Sequence, residues 1–262
     1  MGLASATSVS IPDIPFQAFA PVASVAVDGL GVERDTVSMD VNYFLRQRTQ
    51  FIRHFYDAAT APIIETKRCI DGNLPPFDDP PYSESDEPTY LEEWLRADAE
   101  IEVVGRTAVS LLSESLKQFF ATTERESLQG VRPCQQALPS VFNKHGFVAG
   151  YLACFGGTFN IDWSQCPADL AVIEQVVLAR NDSQHQGDLV LTHVEHSHRT
   201  RERFPRPFFM RPDEPAFDDN PHSFMSPSVH VNRETLMHAV AEVDLFCEWL
   251  LERIEAHRLR QP

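Results

Sequence analysis

Positive charge is scarce in this chain, which holds 22 Lys and Arg residues against 38 Asp and Glu, for a formal net charge of −16. This balance favours solubility and argues against binding of nucleic acid or anionic membrane over the whole surface. The positive charge is also unevenly placed, since no Lys or Arg precedes Arg34, whereas five arginines crowd between Arg199 and Arg211. Any nucleic-acid binding is therefore expected to be local.

Long apolar runs and export signals are missing as well. No run approaches the roughly 18 residues of a membrane-spanning helix, and the residues before Arg34 lack the basic segment of a secretory signal. Met1-Gly2 matches the start of a myristoylation signal, but Ala6 stands where Ser or Thr is needed. We therefore expect a cytoplasmic protein with no membrane partner.

Cysteine is infrequent, with five widely spaced residues and no CxxC pair. The odd number and the spacing predict reduced thiols rather than a disulfide framework. Cys154 and Cys247 lie within apolar helical patterns, where a free cysteine is usually a small core residue. Glycine-rich phosphate loops, a GxSxG elbow and an HExxH helix are all absent, so no cofactor is predicted.

Most apolar residues recur at helical spacing. From about Ser38, one face of a first helix is predicted to hold Phe44, Phe51, Ile52, Phe55, Ala59 and Ile63. Pro62 is expected to kink this helix or to end it early. Thr89 and Glu92 have the spacing of a capping box, which predicts the start of a second helix of about thirty residues with Gly105 as its weak point.

Three further helices follow from the same pattern. The third spans Val141 to Phe155 and is expected to stop at Gly156-Gly157. The fourth has Pro167 in its first turn and continues toward Arg180. The last helix is capped by Asn232, and its buried face is predicted to hold Leu236, Val240, Val243, Cys247, Leu250 and Ile254.

Short alternating stretches predict brief strands around the helices. They precede the turn Asp28-Gly29 and recur at Val190 and Val194 and at Val229 and Val231. We predict one domain, 1–262, of mainly α class: a bundle of four or five helices over 38–185 and 232–259, with a small β accessory. Residues 1–37 form an N-terminal extension with a possible hairpin, and 186–231 form an extended excursion.

The segment from Arg180 to His185 reads Arg-Asn-Asp-Ser-Gln-His and follows an apolar helix. It resembles the Arg-polar-x-x-x-His signature of the HEPN superfamily, and the resemblance is local to residues 167–187. The family consists of helical domains that include many bacterial RNA-cleaving toxins and defence proteins. Two other Arg–His pairs have similar spacing, Arg48 with His54 and Arg233 with His238, and we interpret both as helix-surface residues.

The resemblance implies a metal-independent endoribonuclease with a composite site at a homodimer interface. Histidine can move the 2′-hydroxyl proton at neutral pH, and arginine can grip phosphate oxygens in two places. Arg180 and His185 are therefore the catalytic candidates, with Asn181 or Asp182 orienting them. Residues five apart on an unbroken helix point about 140° away from each other, which is consistent with a site shared by two chains.

The alternative is a non-catalytic helical interaction or scaffold protein. Here Arg180 pairs with a carboxylate such as Asp182, and His185 lies at the helix C-terminus, where a cation is favoured. The long excursion after the motif could also cover the cleft and block access of RNA. Because the HEPN superfamily includes many toxins, the resemblance is compatible with an antitoxin partner.

A second cluster comprises His193, His196 and His198. On a strand His196 and His198 would share one face, which gives weak candidates for a metal site and a third hypothesis, a metal-dependent hydrolase. A surface histidine patch is the competing interpretation, because no distant carboxylate is marked out as a further ligand.

The third feature is the arginine run that follows the motif, Arg199, Arg201, Arg203, Arg206 and Arg211, interleaved with phenylalanines. Arginine and aromatic side chains can hold single-stranded RNA by phosphate contact and base stacking, so Arg199, Arg201, Arg203 and Arg206 are candidates for substrate binding. Alternatively, these arginines pair with the acidic region 71–102, and Phe204, Phe208 and Phe209 pack into the core.

Overall fold

Eight α-helices account for most of the residues that the computed structural model describes, which are 40–79, 86–184, 194, 196–214, 216–217 and 227–260. They are α1 (Val41–Asp71), α2 (Leu91–Ser127), α3 (Cys134–Ala137), α4 (Pro139–His145), α5 (Phe147–Phe159), α6 (Leu170–Gln184), α7 (His198–Arg203) and α8 (Arg233–Arg258). The predicted mainly α class is confirmed, whereas the small β accessory is not, since no described residue lies in a strand. None of these helices combines the length and apolar character needed to cross a membrane.

Helices α1 and α2 form a long antiparallel pair. At one end the Trp94 indole N–H donates to the Asp71 carboxylate at 3.0 Å, and at the other the Arg48 guanidinium donates to the Gln118 amide oxygen. These contacts fix the register of the two helices, because each joins the end of one helix to the start of the other. Helix α8 covers α1 from a second side, and α6 packs against both α2 and α8.

The buried face of α1 differs from the predicted one. Leu45, Ile52 and Tyr56 point into the core, whereas Phe44 and Phe51 remain 52% and 58% exposed. The two phenylalanines line a groove of about 570 Å³ between α1 and α2. The prediction was wrong for Phe44 and Phe51 and is confirmed for Ile52. Helix α1 carries two apolar stripes, and the packing of α2 and α8 decides which of them is covered.

Helix α1 continues through Pro62 to Asp71, so the predicted early end is wrong. Pro62 lies on an exposed side of the helix, as does Ala58, whose carbonyl loses its usual N–H partner. Water can reach that carbonyl, which lowers the cost of the proline. The Pro62 carbonyl itself accepts from the Thr66 hydroxyl at 3.0 Å.

The predicted capping box at the start of α2 is not formed. The N-cap is Tyr90, whose backbone is left-handed with φ 61°, and no side chain caps the helix. The Tyr90 hydroxyl instead donates to the Asp79 carbonyl at 3.1 Å. Because α2 begins at Leu91, Thr89 lies one residue outside the N-cap position, and Glu92 cannot complete the box.

Gly105 allows another segment to approach α2 closely and does not interrupt the helix. A Cβ atom at this position would lie only 2.4 Å from the carbonyl oxygen of Val231. The missing side chain therefore lets the residues before α8 lie directly against α2. Close packing, rather than flexibility, explains this glycine.

Helix α5 runs through Gly156-Gly157 to Phe159, so the predicted stop is wrong. A Cβ atom on Gly156 would lie 2.7 Å from Nε1 of Trp163, which is buried against this helix. The indole N–H donates to the Leu152 carbonyl at 3.1 Å. Gly156 thus makes room for a ring, and left-handed Asn160 (φ 52°) ends the helix.

A disulfide joins Cys134 at the start of α3 to Cys154 in α5, with the two Cα atoms 5.7 Å apart. The prediction of reduced thiols is wrong for this pair, because an odd total does not prevent one pair from meeting when α3 and α5 pack together. Among the free thiols, burial raises the pKa of Cys247 well above its ordinary value, which keeps that thiol neutral. A disulfide is more typical of oxidising compartments than of the predicted cytoplasm.

Helices α6 and α8 begin at capped residues. The Asp169 carboxylate accepts from the Ala171 N–H at 2.8 Å, and Pro167 precedes α6 instead of occupying its first turn, as was predicted. The Asn232 side chain accepts from the Thr235 N–H at 2.9 Å, which confirms the predicted cap of α8. The six apolar residues predicted for the core face of α8 are all buried.

The predicted strands are replaced by isolated backbone contacts where the structure describes them. The Val194 N–H donates to the Pro227 carbonyl at 2.8 Å, and the His230 N–H donates to the Phe209 carbonyl at 3.1 Å. Val190 and the N-terminal hairpin lie outside the described residues. The described parts of 204–231 are therefore non-helical chain packed on the helices.

Candidate functional site

The motif arginine lies in the last turn of α6. Arg180 is half-buried, and its Nη1 donates to the side-chain oxygen of Asn181 at 3.3 Å. Among the described residues no carboxylate forms an ion pair with this guanidinium. The alternative pairing with Asp182 is not present, because the Asp182 carboxylate is bound elsewhere. His185 follows the last residue of α6 and lies outside the described residues.

The Asp182 carboxylate accepts from His196 Nε2 at 2.9 Å, and both side chains are more than nine-tenths buried. The His196 carbonyl accepts from Arg201 Nε at 3.0 Å. The His196 ring packs against the Phe217 ring, with 5.3 Å between the two ring centres. The Arg201 guanidinium lies over the Phe217 ring, 4.9 Å from its centre. Asp182 thus anchors the segment that leads into α7.

Lys117 on α2 is a neighbour of Arg180 that the sequence analysis missed. Burial and the positive charge of Arg180 lower the pKa of Lys117. Its ammonium also lies 5.8 Å from the ring centre of Phe147, at the start of α5. The sequence did contain a sign of this residue, because Lys117 comes directly after Leu116, a member of the buried apolar stripe of α2.

A second cationic group lies where α7 meets the end of α4. Arg199 donates to His145 Nδ1 at 3.2 Å and to the Lys144 carbonyl at 3.4 Å. Burial and the charges of Arg199, Lys144 and Arg203 lower the pKa of His145. The imidazole is therefore neutral at pH 7 and carries its proton on Nε2.

The other arginines of the predicted substrate-binding run have intramolecular partners. Arg203 donates from Nη1 and Nη2 to the two carboxylate oxygens of Glu174 on α6. Arg206 donates to the carbonyls of Arg211 and Pro212 at 3.1 and 2.9 Å. Arg201 donates to a backbone carbonyl, as described above. Arg199 therefore differs from Arg203, because its acceptors are neutral and it is largely exposed.

Arg211 binds the acidic region, as the alternative interpretation predicted. It donates to Glu102 and, at 3.3 Å, to Asp98, both on α2. Glu102 also accepts from His230 Nδ1 at 2.6 Å. Phe204 and Phe209 are buried and Phe208 is partly buried, so these rings pack within the protein.

The predicted metal candidates do not meet on one strand face. His196 is buried on Asp182, whereas the His198 side chain is 88% exposed at the start of α7. His193 lies outside the described residues. Within the part of the chain that the structure describes, no group of three or more His, Cys, Asp or Glu side chains is arranged to hold a metal ion.

Comparisons with protein-family models, curated proteins and solved structures find no match to this chain. The geometry of the site therefore provides the basis for a functional proposal.

Proposed function

We propose that the protein is a metal-independent endoribonuclease of the HEPN type, with Arg180 and His185 as its catalytic residues. The supporting observation is the state of Arg180, whose guanidinium is oriented by the neutral Asn181 amide and forms no ion pair with a described carboxylate. A guanidinium without a counter-ion keeps its charge for a phosphate group, which it can bind in two places.

The proposed reaction is an internal transfer within the RNA strand. The 2′-oxygen attacks the adjacent phosphorus while His185 accepts the 2′-hydroxyl proton. The bond from phosphorus to the 5′-oxygen breaks, and the leaving 5′-oxygen takes a proton from water; the resulting hydroxide is neutralised by the proton that His185 releases. The products are a 2′,3′-cyclic phosphate and a 5′-hydroxyl. Arg180 stabilises the additional negative charge of the phosphorane, and histidine suits the proton transfer because its ordinary pKa is about 6.5.

Asn181 and Asp182 act as positioning residues in this scheme. The Asn181 side-chain oxygen accepts from Arg180 and restricts where the guanidinium points. Asp182 binds His196 and so fixes the last turn of α6 to the segment before α7. The expected effect of changing either residue is a loss of geometry, with the reacting groups still present.

The composite site requires a second copy of the chain, with Arg180 and His185 of each protomer supplied to a shared cleft. We expect a homodimer, which light scattering of the purified protein measures directly. Arg199 is the member of the predicted substrate-binding set best placed to contact RNA, since Arg203 is occupied by Glu174. Arg201 and Arg206 donate to backbone carbonyls and keep their positive charge.

Cleavage of mixed cellular RNA in the presence of a chelator tests the activity. We expect wild type to cut, and Arg180→Ala and His185→Ala each to reduce the rate by at least about 100-fold, in line with the loss of a proton-transfer or charge-stabilising group. Arg233→Ala and His238→Ala on α8 are controls with the same five-residue spacing, and both should retain activity because these side chains are largely exposed. Wild type that leaves RNA intact would refute the proposal.

The rival is a non-catalytic helical interaction protein. The buried contact between Asp182 and His196 favours it, because one residue of the motif segment already serves a structural purpose. The same assay separates the two: uncut RNA together with a stable dimer would favour the rival.

A further inference from the structure

Positive charge from outside the motif extends the surface around Arg180. Lys117 on α2 lies close enough to Arg180 for the two charges to affect each other, and its ammonium approaches the ring of Phe147. Two residues before Phe147 is His145, which accepts a hydrogen bond from Arg199. Lys117, Lys144, His145 and Arg199 are called the basic patch below.

The side chains of the basic patch come from three helices: α2 carries Lys117, α4 carries Lys144 and His145, and α7 carries Arg199. Each of these helices contacts α6 or a helix next to it. Helix α2 packs along α6, α4 is joined to α5 by Gly146 alone, and α7 is fixed to α6 by the ion pair of Arg203 with Glu174. The patch contains two of the three lysines in the chain. Its composition is therefore unusual for a protein with a net charge of −16.

Among the described residues this surface has no ion pair with a carboxylate, although the charge of Glu114 acts on Lys117. Both oxygens of Glu174 are occupied by Arg203, and in the described chain no carboxylate forms an ion pair with Lys117, Lys144, Arg199 or Arg180. By contrast, arginines on α1 are paired with acids of α8, as in Arg53 with Asp244. Like charges held together without a directly paired carboxylate repel one another, and an anionic ligand would relieve that repulsion.

The donors of the patch match a chain of phosphate groups. Arg199 uses only part of its guanidinium on neutral acceptors, the proton of His145 is on Nε2, and Lys117 and Lys144 each have an ammonium. Phosphate oxygens accept from all three donor types, and guanidinium binds them in two places.

We propose that the basic patch binds the backbone phosphates next to the scissile one in single-stranded RNA, so that the strand passes from Arg180 over Lys117 to His145 and Arg199. The assignment rests on the proposed function, because it places the scissile phosphate at Arg180. Lys117 and Arg199 are then substrate-binding residues supplied by α2 and α7, outside the motif helix.

Binding can be measured apart from cleavage with a fluorescent 2′-O-methyl RNA, which lacks the attacking hydroxyl. The full-length chain is compared with the double variant Lys117→Gln/Arg199→Gln and with a control of equal charge loss, Arg96→Gln/Arg253→Gln. Arg96 is exposed and lies 21 residues before Lys117 on α2, about 32 Å along the helix axis. Circular dichroism and thermal unfolding verify that all three proteins fold.

We expect the patch variant to bind the RNA at least about 10-fold more weakly at about 0.1 M salt. The slope of log K against log salt concentration should become shallower by about 1.4, which is about 0.7 for each of the two lost phosphate contacts. The control should stay within about twofold of wild type. Equal affinity of the two double variants would overturn the proposal, as would equally effective competition by polyglutamate, which would identify an acidic protein as the ligand.

Failure of the activity and failure of the patch give different results. Wild type that cleaves RNA while the patch variant binds normally would refute the patch alone. Binding that depends on Lys117 and Arg199 without any cleavage would refute the proposed ribonuclease and leave an RNA-binding protein.

Discussion

His196 donates from Nε2 to the Asp182 carboxylate at 2.9 Å, and the two side chains keep only 4% and 9% of their exposure. An ionised carboxylate only accepts hydrogen bonds, so the imidazole proton is on Nε2. His196 Nδ1 is buried and has no partner among the described residues. The end of the motif helix therefore depends on a residue that follows Asp182 by 14 positions.

Replacing His196 by Ala should destabilise the fold by about 2 to 4 kcal/mol, because it leaves the Asp182 carboxylate buried without its donor. Asp182→Asn should cost less, since the amide oxygen still accepts from Nε2. Urea unfolding followed by circular dichroism measures both. His198→Ala is the control, because its 88% exposed side chain should change stability by less than about 0.5 kcal/mol. Equal stability of the His196→Ala and His198→Ala proteins would contradict the structural importance of the pair.

Gly105→Ala should destabilise the protein by at least about 1 to 3 kcal/mol, because the new methyl group would meet the backbone carbonyl of Val231 at 2.4 Å. Gly157→Ala provides the matched comparison within α5, since nothing lies within 4 Å of its Cβ position. There the greater helix propensity of alanine should add about 0.5 to 1 kcal/mol. Thermal unfolding of the two variants should therefore shift in opposite directions, and a shift in the same direction would refute the close approach at Gly105.

Reduction of the Cys134–Cys154 disulfide should lower the free energy of unfolding by about 2 to 4 kcal/mol, as expected for a closed loop of this size. Alkylation of the denatured, unreduced protein should label three thiols, those of Cys69, Cys166 and Cys247. The double variant Cys134→Ala/Cys154→Ala should unfold at the same urea concentration with and without reductant. Five labelled thiols would show that the bond does not form.

Stability should fall as the pH drops below the ordinary range of glutamate. Burial raises the pKa of Glu102, but hydrogen bonds and charges from His230 and Arg211 outweigh burial and hold that pKa below its ordinary value. A carboxyl with a lowered folded-state pKa stabilises the fold above its unfolded pKa, and this stabilisation is lost as pH falls through the folded pKa. Thermal unfolding between about pH 3 and 7 should show a shallower acid dependence for Glu102→Gln than for wild type.

Glu65→Gln is the control for that experiment. The exposed Arg68 guanidinium lowers the pKa of Glu65 to about 2, yet solvent screens this surface pair and little stability depends on it. An unchanged acid dependence in Glu102→Gln would show that the network does not couple protonation to folding.

Local signals explain which parts of the fold were predictable. The cap at Asn232 and the spacing of Leu236 to Ile254 lie within one helix, and the structure confirms both. The buried face of α1 and the glycines of α5 depend on distant partners. Phe51 is exposed because Ile52 faces α2 and α8, and Gly156 continues a helix because Trp163 packs on it. A one-dimensional pattern does not contain these partners.

The residues of the candidate site also fall into those that local sequence predicts and those that depend on distant packing. Arg180 and Asn181 are adjacent in sequence, so their place at the end of a helix could be predicted. Lys117 and His145 could not, because their approach to Arg180 and Arg199 depends on the packing of α2 and α4 around α6 and α7. The arginine run was predicted as one group, but Arg203 and Arg211 are bound by acids on different helices.

The bond between Cys134 and Cys154 closes a covalent macrocycle that contains α3, α4 and the first half of α5. Lys144 and His145 lie within this ring, opposite the cross-link in sequence. Oxidation of the two thiols therefore restricts the backbone conformations that are open to the segment carrying these side chains. The conformational entropy of segment 134–154 is therefore reduced when the disulfide forms. The redox state of the two thiols sets how rigid this segment is.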